Sequence, residues 1–207
     1  METLTWQGSL LADDDPGFDP GLDGVRRQEL AHGAWVDHLP GWLQGSDRLF
    51  AALLDALSWS QRTERIQGRD IPQPRLTCFL PIEDLVDELA VLRSAGETLS
   101  RRYAVRFERV GVNLYRDGRD SVAWHGDRVA RDMATATIAI VSLGHPRRFR
   151  LRPREGGTGL GFDLGRGDLL VMGGTCQRTW KHSVPKVAEA GPRISVTFRH
   201  AYPPAPA

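Results

Sequence analysis

Six histidines stand at positions 32, 38, 125, 145, 182 and 200, and one of them lies two residues before a carboxylate, in His125-Gly126-Asp127. Positions i and i+2 of an extended segment project to the same side, so this imidazole and this carboxylate could reach one ion. Alone the pair is weak: at these residue frequencies about 0.75 such pairs arise by chance, and a surface turn accommodates one equally well. A third ligand would change its meaning. Two histidines and one carboxylate on one face leave positions open on Fe(II) for a cosubstrate and O2. The best candidate is His182 in Trp180-Lys181-His182, after an apolar stretch at 169–172 and a Gly173-Gly174 loop. A capping or surface imidazole is its plain alternative.

The C-terminal segment alternates strictly. Ile194, Val196 and Phe198 fall on one face, and Arg193, Ser195, Thr197 and Arg199 on the other. Turned into a barrel, two guanidiniums would be uncompensated unless an anion bound between them. A dicarboxylate would satisfy them, gripped in bidentate fashion. Asn113 and Tyr115 share a face across Leu114 and offer neutral donors for the same anion. The alternative is an edge strand whose polar side faces solvent.

These residues need elements to position them. A helix is expected from Ser46 as N-cap, with Leu49, Phe50, Leu53, Leu54 and Leu57 at helical spacing. A second is expected after Pro81, with Leu85, Val86, Leu89 and Leu92 on one stripe and Gly96 as its stop. Segment 64–77 is rich in Pro and Arg and reads as loop or edge structure. Beyond Tyr103 the pattern changes to short β segments at 105–115, 135–143, 147–153, 160–164, 168–172 and 193–199, separated by glycine turns. Helices followed by many short strands imply an α+β fold, with the strands in a sandwich or jelly roll and the helices covering one sheet. The turn-rich start, Asp13-Asp14-Asp15-Pro16-Gly17, reads as an irregular arm. We expect an arm over 1–45, a helical region over 46–100 and a β core over 101–207, with 46–207 one folded domain.

The composition, at 41% hydrophobic and 26% charged over 207 residues, is that of a globular chain with a full core. A net charge of +1 excludes a uniformly basic coat. No apolar run approaches the roughly 20 residues that span a bilayer, so no membrane is expected. Two cysteines far apart, Cys78 and Cys176, exclude a disulfide framework, and a reducing cytoplasm is the expected location. Charge is unevenly spread: residues 101–154 hold thirteen arginines against five acids, a net of +8. Such a block could face phosphates. A solvated face in an arginine-rich protein, with 25 Arg to 2 Lys, explains it as well.

Taken together, the chain resembles the AlkB family of Fe(II)/2-oxoglutarate-dependent dioxygenases. The matching text is Val112-Asn113-Leu114-Tyr115, Trp124-His125-Gly126-Asp127, Ile140-Val141-Ser142-Leu143-Gly144, Gly167 to Gly174, Trp180-Lys181-His182 and Arg193 to Arg199. It spans about residues 60–200. The resemblance implies a double-stranded β-helix (jelly-roll) core with N-terminal helices packed on one sheet. It implies Fe(II) held by His125, Asp127 and His182, and 2-oxoglutarate held by Asn113, Tyr115, Arg193, Ser195 and Arg199. Ser195 stands where an Asn is expected. With O2, 2-oxoglutarate becomes succinate and CO2 while an N-methyl group of a damaged base is hydroxylated, and the hemiaminal then releases formaldehyde. Single-stranded or base-flipped DNA carrying 1-methyladenine or 3-methylcytosine is the implied partner, since a stacked base cannot reach a buried metal, and a monomer is expected.

Substrate residues are less plainly written. An acidic residue expected two positions after Asp127 is Val129 here. The stretch from Trp59 to Leu76, with Arg75, resembles a nucleotide-recognition lid without its tyrosines. Phe79 is the nearest stacking candidate, with a core position as its alternative. Trp124 flanks a ligand or packs the barrel end. Alternation at 148, 150, 152 and 154 places Arg150 and Arg152 on a stripe suited to a nucleic-acid backbone. Two other readings remain: the same cofactors acting on RNA, protein or a small molecule, and a non-enzymatic nucleic-acid-binding module with a vestigial iron site.

Overall fold

The computed structural model describes residues 15–66, 68–127 and 133–200. The first part holds strands β1 (Gly17–Phe18), β2 (Arg26–Glu29), β3 (Ala34–Leu39) and β4 (Leu43–Gln44), then helix α1 (Ser46–Ala56). Next come a hairpin of β5 (Thr63–Ile66) and β6 (Arg69–Pro72), strand β7 (Leu76–Pro81) and helix α2 (Ala90–Tyr103). The remainder is β8 (Phe107–Tyr115), β9 (Val122–His125), β10 (Ile138–Gly144), β11 (Arg147–Pro153), β12 (Leu160–Leu164) and β13 (Asp168–Gly174), with the short helix α3 (Cys176–Thr179), β14 (Trp180–Val184) and β15 (Arg193–His200).

Two antiparallel sheets form the frame. One has the order β2-β3-β13-β10-β15-β8-β7, the other β12-β11-β14-β9. Alternation along the large sheet separates its two sides. Val110, Val112, Leu114, Ala139, Val141, Leu169, Ile194, Val196 and Phe198 join one buried cluster with Leu49, Phe50 and Leu53 of α1 and Leu92, Ala95 and Leu99 of α2. The opposite face divides in two. Over β3, β13 and β10 it is apolar: Val36, Ile138, Ile140, Leu170 and Met172 pack with Phe149, Leu151, Leu164 and Trp180 of the small sheet. Over β15, β8 and β7 it carries polar side chains and borders a cavity. Among the described residues no helix is long and apolar enough to cross a membrane.

Four expectations need correction, the last of them the N-cap of α1. Residues 26–39, read as part of an irregular arm, form β2 and β3 of the large sheet. Asp37 of β3 is 2% exposed yet satisfied, accepting from both Arg27 nitrogens at 2.7 and 2.9 Å and from the Tyr103 hydroxyl at 3.0 Å. The turn-rich start at 13–17 made this strand look like arm, whereas its buried acid finds partners on β2 and α2. Second, the helix expected after Pro81 begins only at Ala90, after two 3-10 turns at Ile82–Asp84 and Asp87–Leu89. Val86, placed on its buried stripe, is 45% exposed. Third, Gly96 lies inside α2 and does not end it. A Cβ there would lie 2.3 Å from Ile82 Cδ1 and 3.3 Å from the Phe198 ring, so glycine permits close packing. The segment expected to be loop or edge holds the β5–β6 hairpin. Ser46 is the first residue of α1, with Gly45 as its N-cap.

Candidate metal and cosubstrate site

β9 and β14 are antiparallel neighbours that place His125 directly opposite His182. Their ring centroids are 4.2 Å apart, and the Phe149 ring stacks on His182 at 5.4 Å. Asp127 follows β9, and one ligand atom from each of His125, Asp127 and His182 lies within 4.8 Å of the others. His125 Nδ1 donates to the Ala123 carbonyl at 2.8 Å, which leaves Nε2 with its lone pair for an ion. Burial pushes the His182 imidazole down to about 3, with His125 adding to the effect, so the ring is neutral as a ligand must be. Burial by itself would raise the Asp127 carboxyl, but the charge and hydrogen bond of Arg199 hold it below the usual carboxylate range. Two imidazoles and a carboxylate on one side form the donor set that suits Fe(II) with open positions.

The same cavity, about 910 Å³, is walled by β15 and β8. Across that pair Arg193 faces Tyr115, Ser195 faces Asn113 and Thr197 faces Gly111. All six line the cavity, as does Arg199. Arg193 is 1% exposed; its Nε donates to Ser142 Oγ at 2.8 Å, and its Nη1 is buried with no partner. Arg199 Nη2 donates to Asp127 Oδ1 at 2.9 Å, and its Nε is likewise buried and unpaired. Leaving such donors unpaired costs about 1–3 kcal/mol each, more when charged. An anion in the cavity would remove that cost. The residues present therefore fit a dicarboxylate beside a metal.

The candidate substrate residues separate. Phe79 is at the cavity mouth and 38% exposed, so the core alternative fails. Its ring lies opposite Gly111 and under the Arg62 guanidinium at 4.3 Å. Arg75 lines the cavity, but its Nε donates to Asn113 Oδ1 at 3.1 Å. That contact turns the Asn113 amide so that its NH2 is left for an anion. Trp124, Arg150 and Arg152 are not in the wall. Arg150 and Arg152 lie on the exposed side of β11, with Arg152 over the Trp124 ring at 4.2 Å. Arg148 shares that side and pairs with Asp163 at 2.8 Å, whereas Arg154 turns away to the Gln177 carbonyl at 3.4 Å. Val129 lies outside the described residues. Sequence reasoning gave no role to Ser142 or Gln177, whose contacts join segments far apart in the chain, and placed Arg62 only within the lid-like stretch.

The description "2OG-Fe(II) oxygenase superfamily" matches residues 40–199. An Arabidopsis thaliana protein named DNA oxidative demethylase ALKBH2 is 33% identical over 215 residues, covering 83% of this chain and 68% of that protein. This chain is an AlkB-family member of that superfamily. The mouse alpha-ketoglutarate-dependent dioxygenase alkB homolog 3 is 31% identical over 186 residues, covering 79% of this chain and 65% of its own length. The chain thus spans about two thirds of the AlkB relatives it matches. A solved structure titled "The structure of OsALKBH1" superposes with a TM-score of 0.56 at 16% identity, covering 85% of this chain and 100% of that one, and shows the shared fold. Fe(II), 2-oxoglutarate and O2 are the AlkB-family cofactor and cosubstrates.

Proposed function

We propose that this chain catalyses oxidative demethylation of N-alkylated bases, 1-methyladenine and 3-methylcytosine, in DNA, within a double-stranded β-helix formed by its two facing sheets. The observation that carries the reading is one cavity whose floor joins His125, Asp127 and His182 to the unpaired donors of Arg193 and Arg199. His125, Asp127 and His182 would hold Fe(II). The bound metal supplies the oxidising chemistry that couples decarboxylation of 2-oxoglutarate to hydroxylation of the N-methyl group.

This chain's own residues do the rest. Arg193 grips one carboxylate of 2-oxoglutarate, with Tyr115 beside it and the Asn113 amide turned inward by Arg75. Arg199 holds the Asp127 carboxylate and offers its free Nε to the other end of the cosubstrate. Phe79 and Arg62 form the mouth, where the Arg62 guanidinium stacked on the Phe79 ring offers a flat cationic surface to a base turned out of the stack. The hydroxymethyl product needs no protein nucleophile, since a hemiaminal releases formaldehyde by itself.

Mass spectrometry of short oligonucleotides carrying either lesion, with Fe(II), 2-oxoglutarate and ascorbate, tests the reading. Loss of the methyl mass is expected, dependent on 2-oxoglutarate and absent in His125→Ala. Unchanged oligonucleotides with steady succinate release would move the substrate to RNA, protein or a small molecule. No succinate, together with DNA binding that survives without metal, would favour the non-enzymatic module.

A further inference from the structure

Asp127 has to be held where a strand no longer holds it. β9 ends at His125, so ladder pairing fixes the histidine and releases the carboxylate two residues later. What receives the Asp127 backbone is a side chain: its N–H donates to Gln177 Oε1 at 3.0 Å. Gln177 is 2% exposed and belongs to α3, five residues before His182. Its Nε2 points to the Met172 sulfur at 3.6 Å, a weak acceptor, which leaves the oxygen directed at Asp127.

Gly126 completes the contact. It is not among the residues with positive φ, so conformational freedom is not its reason. Space is. A Cβ on it would lie 2.5 Å from the Gln177 carbonyl oxygen and 2.6 Å from Arg154 Nη2. Arg154 Nη2 in turn donates to that carbonyl at 3.4 Å. The loop between the two ligands therefore rests directly on the segment that leads into the third.

We propose that Gln177 is a positioning residue for the metal site: it ties the Asp127 loop to the His182 segment, so that all three ligands are fixed as one unit before an ion arrives. This inference rests on the metal-site reading above. Contacts one layer behind metal ligands typically change metal affinity by about 10- to 100-fold.

The test is Co(II) binding to the metal-free protein by titration calorimetry, with the Co(II) absorption spectrum and the thermal midpoint recorded on the same samples. Gln177→Met keeps the size and removes the acceptor, and its Co(II) Kd is expected to rise roughly 10- to 100-fold with an altered spectrum. Gln177→Glu keeps an acceptor oxygen and is expected to restore most of the affinity. If Gln177→Met gives no cooperative melt, Gln177→Asn, polar but too short to reach the Asp127 amide, carries the same expectation. A folded Gln177→Met or Gln177→Asn with the wild-type Kd overturns the proposal, even if its midpoint falls, because that is the signature of a merely structural residue. Equal weakening by Met and Glu also overturns it. Wild-type protein that binds no Co(II), or His125→Ala that binds equally well, would sink the metal-site reading itself, a different failure.

Discussion

Arg193 is a cation held almost wholly out of water with one nitrogen unpaired. Burial lowers its pKa, although a guanidinium stays charged at neutral pH. Such a group weakens the empty protein and gains its value from a ligand. Arg193→Met should therefore raise the KM for 2-oxoglutarate roughly 10- to 100-fold, the equivalent of about 1.5–3 kcal/mol for bonds to a charged group. Without cosubstrate the same variant should melt at an equal or higher temperature, since apolar replacement of a buried charge is often neutral or stabilising. A lower melting temperature with unchanged KM would reverse this picture. At this scale the sequence was legible wherever periodicity carried the information. The alternation of residues 193–199 placed both arginines on one face, and β15 keeps them there. Ser142 and Gln177 left no such trace, because their partners stand 51 and 50 positions away.

Strand β11 shows how an element can serve two sides. Arg147 and Arg148 are adjacent in sequence and opposite in fate. Arg147 is 2% exposed and donates to the carbonyls of Asp117, Asp120 and Pro185, pinning those loops. Arg148, Arg150 and Arg152 face outward. If Arg150 and Arg152 touch phosphates, Arg150→Glu with Arg152→Glu should raise the Kd for single-stranded DNA. It should also flatten the salt dependence by at least about 1.4 in log–log slope, at about 0.7 per lost contact. An unchanged slope removes the stripe from the binding surface. Helix α2 makes the opposite point about legibility. Its apolar spacing announced a helix but not its ends, because Gly96 looked like a stop and is a packing residue. The sign of Gly96→Ala decides between these. A helix interior normally gains up to about 1 kcal/mol from this change, whereas a Cβ pressed on Ile82 and Phe198 should cost about 1–3 kcal/mol, seen as a lower thermal midpoint.

The whole molecule is a large sheet with helices on one side and, on the other, an apolar half that holds the small sheet and a polar half that walls the candidate site. The two halves share strands, so the site depends on parts of the chain that never touch it. β2 and β3 are the clearest case. Read from sequence they belonged to an arm outside a folded unit starting at residue 46, because the turn-rich start, Asp13-Asp14-Asp15-Pro16-Gly17, set the reading for everything before the first helix. In the fold, β3 pairs with β13 over six residues, buries Ala34 and Val36 between the sheets, and anchors Tyr103 at the end of α2 through Asp37. β13 lies between β3 and β10, and β10 pairs with β15, which carries both arginines. A chain beginning at residue 46 would expose β13 as an unpaired edge and open the apolar half to water. It should show no cooperative thermal transition by circular dichroism, bind a hydrophobic dye, and gain no stability from 2-oxoglutarate, whereas the full chain should gain about 2.7 kcal/mol at a cosubstrate concentration 100 times its Kd. A shortened chain that melts as the full one does, and is stabilised equally by 2-oxoglutarate, would return the first 45 residues to the role of an arm.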